Sequence, residues 1–265
     1  MRILEKTDHY IVKLCFGWKL YKMTEISSNY FFTFKSKIKY LIEDIENKAF
    51  SPRYYCEDFE YLHPAMNSMK IYILMKCFCD IPLKLMKKHI NKYGSYGIGL
   101  KKDWGLKNNL TPLHYIPVLS KNAWYQSNLL KLYSLVFSYQ GDPDIRECLI
   151  NYFIFTKPYQ QNETVFYDER EWRYVPSLEN LKRINGNDLR IQRHFLLPNN
   201  NEKEFLNLNV ESDNLKNNEY SRLSFELNDI KYLIVKEENE VDQIRDLISG
   251  FSSIEIKSVS NIEMA

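Results

Sequence analysis

The segment FYDEREWRYVP, residues 166–176, has three acids and two arginines within six consecutive positions, with aromatic side chains on both sides. Its residue types predict a strand from Thr164 onward, in which successive side chains alternate between faces. Glu169, Glu171 and Arg173 then share one face, with the two carboxylates roughly 6–7 Å apart. Such a pair can hold one charge against a developing cation and orient an acceptor with the other.

Arg173 bears on how this face is used. An arginine beside two carboxylates offsets their repulsion, which otherwise raises the pKa of one of them, and it can also bind a phosphate in a bidentate manner. The alternative is an exposed strand face whose charges form ion pairs with a neighbouring strand. The residues alone leave both interpretations open.

A second segment, YGSYGIG at residues 93–99, contains glycines in the order G-x-x-G-x-G after a predicted helix. The dinucleotide fingerprint has a different spacing and follows a strand, so it is not matched. Gly97 can let the backbone approach a ligand, with Tyr93 and Tyr96 as stacking faces. The alternative is a helix C-cap at Gly94 followed by the start of a strand.

A third segment, SPRYYCEDF at residues 51–59, begins with a proline break and is predicted to be a loop. Arg53, Glu57 and Asp58 can form a structural clasp between an arginine and a carboxylate. The same loop can instead line a pocket.

Composition restricts the function classes. The chain has 265 residues, 45% of them hydrophobic and 26% charged, and a formal net charge of +2, so it has no strong global field to attract nucleic acid. Its five cysteines form no disulfide framework and no zinc-type spacing, which predicts a cytoplasmic protein without a metal. The histidines also form no zinc-type pair, and His89 and His114 are assigned structural roles. Apolar runs such as residues 71–79 are too short to cross a membrane.

The elements that must position these residues are predicted from hydrophobic spacing, with Ser36 and Asp80 as helix N-caps. A single domain over residues 1–265 is expected, with a polar loop at about 198–219. Strands and helices follow one another without strict alternation, so the fold class is α+β rather than a doubly wound sheet. The expected strands are 30–34, 71–79, 113–118, 164–176, 230–236 and 253–259, and the expected helices are 36–48, 80–93, 120–140, 145–155 and 240–249.

The chain resembles the AbiGi family, whose members are described as the antitoxin half of a bacterial abortive-infection system against phage. Four blocks carry the resemblance, and the second and fourth are the most specific. A cognate toxin or a phage protein is therefore the implied partner, and a nucleic-acid target stays open. The blocks are FFTFKSKIKYLIEDIENKAFSPRYYCEDF (31–59), MKCFCDIPLKLMKKHINKYGSYGIGLKKDWGLKNNLTPLHYI (75–116), KPY (157–159) and FYDEREWRYVP (166–176).

A more distant resemblance is to ADP-ribosyltransferases. It implies a mixed, mostly antiparallel split sheet with flanking helices, and NAD as the substrate. Tyr96 or Tyr93 matches the middle element of that family's pattern, and Glu169 and Glu171 match its E-x-E. By this resemblance Glu171 holds the nicotinamide-ribose hydroxyl and stabilises an oxocarbenium-like transition state, while Glu169 orients the acceptor.

One position departs from the related sequences, because Thr33 stands where a histidine is expected. A hydroxyl cannot supply an imidazole or cationic clamp. Arg53 could then take the clamping role, with Gly97 and Arg173 as further NAD contacts. Two functions follow: an NAD-dependent ADP-ribosyltransferase or NAD-cleaving domain acting on a macromolecule, or a non-catalytic antitoxin or sensor that binds a toxin or phage component. A metal-dependent nuclease is a third reading, but no third acidic ligand is evident for it.

Overall fold

The computed structural model describes residues 28–62, 69–117, 123–138, 140–185, 194–198, 202–216 and 218–263. The N-terminal part of the predicted domain, including Cys15, lies outside the described residues. The other four cysteines, Cys56, Cys77, Cys79 and Cys148, are free thiols. None of the described helices is long and apolar enough to cross a membrane.

The strands are short except for one, β4, which has eleven residues. In chain order they are β1 (Tyr30–Lys35), β2 (Ala49–Phe50), β3 (Arg53–Glu57), β4 (Met69–Cys79), β5 (Tyr96–Lys101), β6 (Thr111–Pro112), β7 (His114–Ile116), β8 (Thr156–Pro158), β9 (Gln160–Gln161), β10 (Thr164–Val165), β11 (Glu171–Tyr174), β12 (His194–Pro198), β13 (Leu223–Ser224), β14 (Ile230–Val235) and β15 (Glu255–Ser258).

The helices flank the sheet and are mostly short. In chain order they are α1 (Ile38–Asn47), α2 (Lys87–Tyr93), α3 (Lys102–Lys107), α4 (Ala123–Ser138), α5 (Pro143–Ile154), α6 (Leu178–Asn185), α7 (Glu202–Leu215), α8 (Val241–Leu247) and α9 (Val259–Glu263).

The main sheet has the strand order β15–β14–β5–β1–β4–β11–β6, and β3 and β12 also pair with β4. Its neighbours run antiparallel except β14 and β15, which are parallel. The predicted α+β class with a mixed, mostly antiparallel sheet is therefore confirmed.

The sheet forks between β1 and β4. These strands pair at one position, Phe32 with Cys79. From there β1 continues along β5, whereas the first part of β4 pairs with β3 and β12. The gap between Thr33–Lys35 and residues 75–78 is the place where the candidate site lies.

Aromatic residues at two consecutive positions of β1 anchor it on both sides. Phe31 is fully buried in a core with Leu41 of α1 and Trp104 of α3, and Phe32 is buried on the other side, beside Ile90 of α2. Burying a phenylalanine stabilises a fold by about 1.5–3 kcal/mol. The two faces together hold β1 firmly at one wall of the fork.

The odd-numbered residues of β4 form a second core with α4 and α5. Ile71, Ile73 and Met75 pack there against Tyr133 and Phe153. This layer adjoins β11, because Arg173 of that strand donates a hydrogen bond to the carbonyl of Ile154 of α5.

Two helix starts differ from the prediction. Helix α1 has Lys37 rather than Ser36 as its N-cap. Asp80 does not cap α2, because its carboxylate accepts hydrogen bonds from the Ser28 N–H and the Lys102 ammonium, each at 2.8 Å. A 3-10 turn over Leu83–Leu85 precedes the α-helix instead.

Two predicted loops are regular elements. Residues 53–57 form β3, because Tyr54 alternates into the core and the strand pairs with β4. The polar loop expected at about 198–219 contains α7 instead. Leu208 and Leu215 lie on its buried side, and the Ser212 hydroxyl accepts a hydrogen bond from the Tyr54 N–H at 3.0 Å. A narrow apolar stripe was enough to fold a segment whose composition is polar.

Lys48, which caps the C-terminus of α1, provides a stability prediction. Its φ of 48° and ψ of 38° place it in the left-handed region, which strains residues that carry a Cβ. We expect Lys48→Gly to raise the free energy of unfolding by about 0.5–1 kcal/mol in urea titrations. The matched control, Glu46→Gly at an exposed position in the last turn of α1, should lower it by up to about 1 kcal/mol. A loss of stability in both variants would contradict the strain argument.

Candidate functional site

The fork encloses a cavity of about 280 Å³. Its walls come from β1, β3, β4 and α2. Its end is formed by Lys157 of β8, by Glu169 in the turn before β11 and by Glu171, the first residue of β11. A larger cavity of about 660 Å³ adjoins it, and the two share Phe34, Tyr55, Lys76 and Tyr93. The smaller one is lined by Phe32, Thr33, Phe34, Tyr55, Cys56, Glu57, Met75, Lys76, Cys77, Phe78, His89, Tyr93, Lys157, Glu169 and Glu171.

The acidic segment is not one continuous strand, which corrects the prediction for 164–176. Residues 166–169 form a 3-10 turn, Arg170 adopts a left-handed φ of 42°, and only Glu171–Tyr174 form β11. The Asp80 N–H donates to the Arg170 carbonyl at 3.0 Å and holds the turn in place. Glu171 and Arg173 share a strand face as predicted, whereas Glu169 reaches the same cavity from the turn.

Arg173 is fully buried and holds two carboxylates. Its Nε donates to Glu171 Oε1 at 2.7 Å, one terminal nitrogen donates to Glu57, and the other donates to the carbonyl of Ile154. It is therefore a structural cation behind the cavity, and its donors are directed to protein groups rather than to a phosphate.

Glu169 is held from the α2 side. It accepts hydrogen bonds from the Lys92 ammonium and, at 2.8 Å, from the Tyr93 hydroxyl. Lys157 lies between the two glutamates, 2.6 Å from Glu171 Oε2 and 3.8 Å from Glu169 Oε2. The network thus contains three carboxylates, of Glu57, Glu169 and Glu171, and three cations, of Lys92, Lys157 and Arg173, so its charges balance.

These contacts keep Glu171 ionised. Burial would raise the pKa of its carboxyl, but Arg173 and Lys157 outweigh burial and lower the pKa to about 2. Burial would likewise lower the pKa of Lys157, but Glu57 and Glu171 raise it above its ordinary value. Both residues are therefore charged at neutral pH and are paired with each other.

His89 lines the same cavity and is neutral at pH 7. Burial lowers the pKa of its imidazole to about 4, although Glu169 opposes the shift. The ring packs against the rings of Phe34 and Tyr93, with centroids 5.4 and 4.5 Å away. A neutral imidazole can accept or donate one hydrogen bond to a ligand but supplies no charge.

The structure brings four of the predicted site residues together. Thr33, Tyr93, Glu169 and Glu171 all line the smaller cavity. Arg53 lines the larger cavity, where it forms an ion pair of 2.5 Å with Asp213.

Tyr96 and Gly97 lie elsewhere. The Tyr96 hydroxyl donates to Glu240 at 2.8 Å, and its ring packs in the core with Leu41 and Trp104, so it lines neither cavity. A Cβ at Gly97 would meet the Phe34 ring at 2.8 Å. The glycine therefore makes room for a ring of the cavity wall. Gly94 caps α2 with a φ of 119°, as the alternative interpretation predicted.

Four charged or titratable residues of the site were not assigned to it from the sequence. Lys157 lies in the short KPY block, and Lys92 directly precedes the glycine segment. Nothing local connects Lys157 to Glu171, 14 positions away, or Lys92 to Glu169, 77 positions away. Glu57 was expected to form a clasp, and it does so with Arg173 rather than with Arg53. His89 was assigned a structural role. Among the described residues, no group of three or more His, Cys, Asp or Glu side chains is placed to hold a metal ion.

Comparisons with known proteins place this chain in a family. A family model described as "Putative abortive phage resistance protein AbiGi, antitoxin" matches residues 47–236, a range that contains all six charged residues of the network. The Abortive phage resistance protein AbiGi of Lactococcus lactis subsp. cremoris is 33% identical over 160 residues, which cover 49% of this chain and 63% of that relative. No solved structure matches, so the likeness to ADP-ribosyltransferases has no support from a structural neighbour. Because the family model matches well over half of its length, this chain belongs to the AbiGi family.

Proposed function

We propose that this protein is the antitoxin of a bacterial abortive-infection pair and that it acts by binding a partner toxin rather than by catalysis at the fork. The description of the matched family supports the role. The state of Glu171 supports the non-catalytic mode, because Arg173 binds one of its carboxylate oxygens and Lys157 binds the other. A carboxylate that is engaged in this way serves to hold β11, the turn before it and β8 together.

The experiment is co-expression of the chain with the toxin of its own locus, with growth as the readout. We expect Glu169→Gln to neutralise the toxin to within about twofold of the unsubstituted protein, because the variant keeps the shape of the side chain and the partner does not need its charge. Co-purification of the toxin should persist as well.

The contradicting result would be a Glu169→Gln protein that melts normally and still co-purifies with the toxin but no longer protects growth. That outcome would assign a chemical task to the acidic pair. Glu179→Gln, an exposed carboxylate on α6, serves as the control for unspecific effects of charge removal.

A second candidate is NAD-dependent ADP-ribosyl transfer to a protein, RNA or DNA target. It is favoured by the convergence of Thr33, Tyr93, Glu169 and Glu171 in one cavity. A cavity of about 280 Å³ is small for a dinucleotide, since ligand pockets span roughly 300–1,000 Å³, so NAD would have to extend into the adjoining space of about 660 Å³. Glu171, held ionised, would then stabilise positive charge that develops on the ribose.

Labelled NAD distinguishes this candidate from the antitoxin. Transfer of label to a macromolecule, or release of nicotinamide, that is abolished in Glu171→Gln would establish the enzyme. If no label is transferred, and the unsubstituted protein and Glu171→Gln leave the same amount of NAD in solution, the enzyme hypothesis fails and the binding role stands. The melting temperature of Glu171→Gln must be recorded in parallel, because this carboxylate also stabilises the fold.

A further inference from the structure

Lys76 of β4 is a buried amine at the junction of the two cavities. It lines both of them, and only 8% of the residue is exposed. Its ammonium position lies 5.3 Å from the centre of the Phe50 ring. A buried lysine is either paired with an acid or has a pKa that is shifted toward the neutral amine.

The other cations of the larger cavity are paired. Lys35 lies 2.7 Å from Asp44, Arg53 lies 2.5 Å from Asp213, and Lys216 contacts Glu43. Among the described residues that line this cavity, Lys76 is the cation that has no carboxylate within ion-pairing distance. Lys76 is therefore nine-tenths buried and lines the cavity with no carboxylate within ion-pairing distance, and its side chain forms a hydrogen bond with that of Lys35.

Its surroundings favour the neutral amine. Burial is the main cause, the Lys35 ammonium on β1 adds repulsion, and Asp44 of α1 and Cys77 of β4 oppose both. Together they lower the pKa of Lys76 to about 7. A much larger share of the molecules then carries the free amine at pH 7 than for a lysine at the ordinary pKa of 10.5. Tyr55 and Tyr93 complete the shared walls.

We propose that Lys76 is a nucleophilic lysine that captures a small aldehyde as an imine in the fork. The lone pair of Nζ attacks the carbonyl carbon, and the carbonyl oxygen leaves as water with both protons of the amine. One amine and one aldehyde thus give one imine and one water, and nothing is oxidised or reduced.

Glyceraldehyde with sodium cyanoborohydride, applied to the full chain, tests the proposal, because the reductant fixes an imine as a secondary amine. Peptide mass spectrometry then measures the modification rate at each lysine. At pH 7 we expect Lys76 to react at least about tenfold faster than Lys88, an exposed lysine of α2.

The matched variants are Lys76→Met and Lys88→Met. The first replaces a buried amine by an apolar side chain of similar length, should fold, and should lose the fast phase of modification. The second should keep it. A Lys76 that reacts no faster than Lys88 in a protein with a cooperative melt would overturn the proposal. So would a fast phase that persists in Lys76→Met. Toxin neutralisation is not part of this test, so the antitoxin role can stand or fall separately.

Discussion

Arg173→Met is expected to lower the free energy of unfolding by about 3–5 kcal/mol. Methionine fills much of the same space, so the loss comes from electrostatics rather than from a cavity. Glu57 and Glu171 would each lose a charged donor in a site where they are largely buried, and the Ile154 carbonyl would lose its hydrogen bond. Urea titration at pH 7 measures the change.

Arg183→Met is the matched control. Arg183 forms an ion pair with Glu179 one helical turn away, and both side chains are more than half exposed. Removing it should change stability by no more than about 0.5 kcal/mol. Adding Glu57→Gln and Glu171→Gln to Arg173→Met should recover part of the loss, because the carboxylates then no longer need a counter-charge. A cost below about 1 kcal/mol for Arg173→Met alone would contradict the buried network.

The second large effect is the pH dependence of stability that Glu171 contributes. The pKa of this carboxyl is about 2 in the folded chain and near 4.5 in the unfolded chain, so unfolding takes up a proton between these values. The contribution is therefore complete above pH 4.5 and is lost as the pH falls toward 2. The difference corresponds to about 3 kcal/mol.

Unfolding midpoints in urea between pH 7 and pH 3 test this. Glu171→Gln should be less stable than the unsubstituted protein at pH 7 and should approach it as the pH falls. Glu255→Gln is the control, since Lys231 and Lys257 lower the pKa of an exposed carboxyl there and solvent screens the effect. Parallel curves for the unsubstituted protein and Glu171→Gln would show that the ion pairs do not stabilise the fold.

Local patterns were sufficient to predict several elements of the fold. The apolar run at 71–79 is a strand in the structure, and the spacing of Leu41 and Ile45 marks α1. Helix α7 was missed because its sequence is rich in asparagine and glutamate, and its burial depends on β3, which is distant in sequence. Strand β3 itself looked like a loop after Pro52. Both errors arise where tertiary contacts decide the conformation of a segment with weak local preference.

The sequence predicted which acids lie in the candidate site, but it did not predict which lysines pair with them. Alternation along a strand correctly placed Glu171 with Arg173, and Glu169 reached the same cavity by a different backbone path. Lys92 and Lys157 join the acids only through the fold. The residue pattern suggested that Arg173 could bind a phosphate, but its guanidinium is fully buried and donates to Glu171, Glu57 and the Ile154 carbonyl instead. A sequence shows which residues carry charge, while their pairing is a three-dimensional property.

The two sides of the fork are two arms of the sheet, and their backbones are joined at one pair of residues, Phe32 and Cys79. One arm is β1, braced by β5 and β14, and the other is β4, braced by β3 and β12. Widening the gap between the arms would leave these bracing ladders intact, but it would pull Phe31 of β1 away from Trp172 of β11, whose ring centroids lie 4.8 Å apart in the core that both arms share. A ligand that enters the fork therefore meets two strands whose separation is set both by one backbone pair and by this shared core.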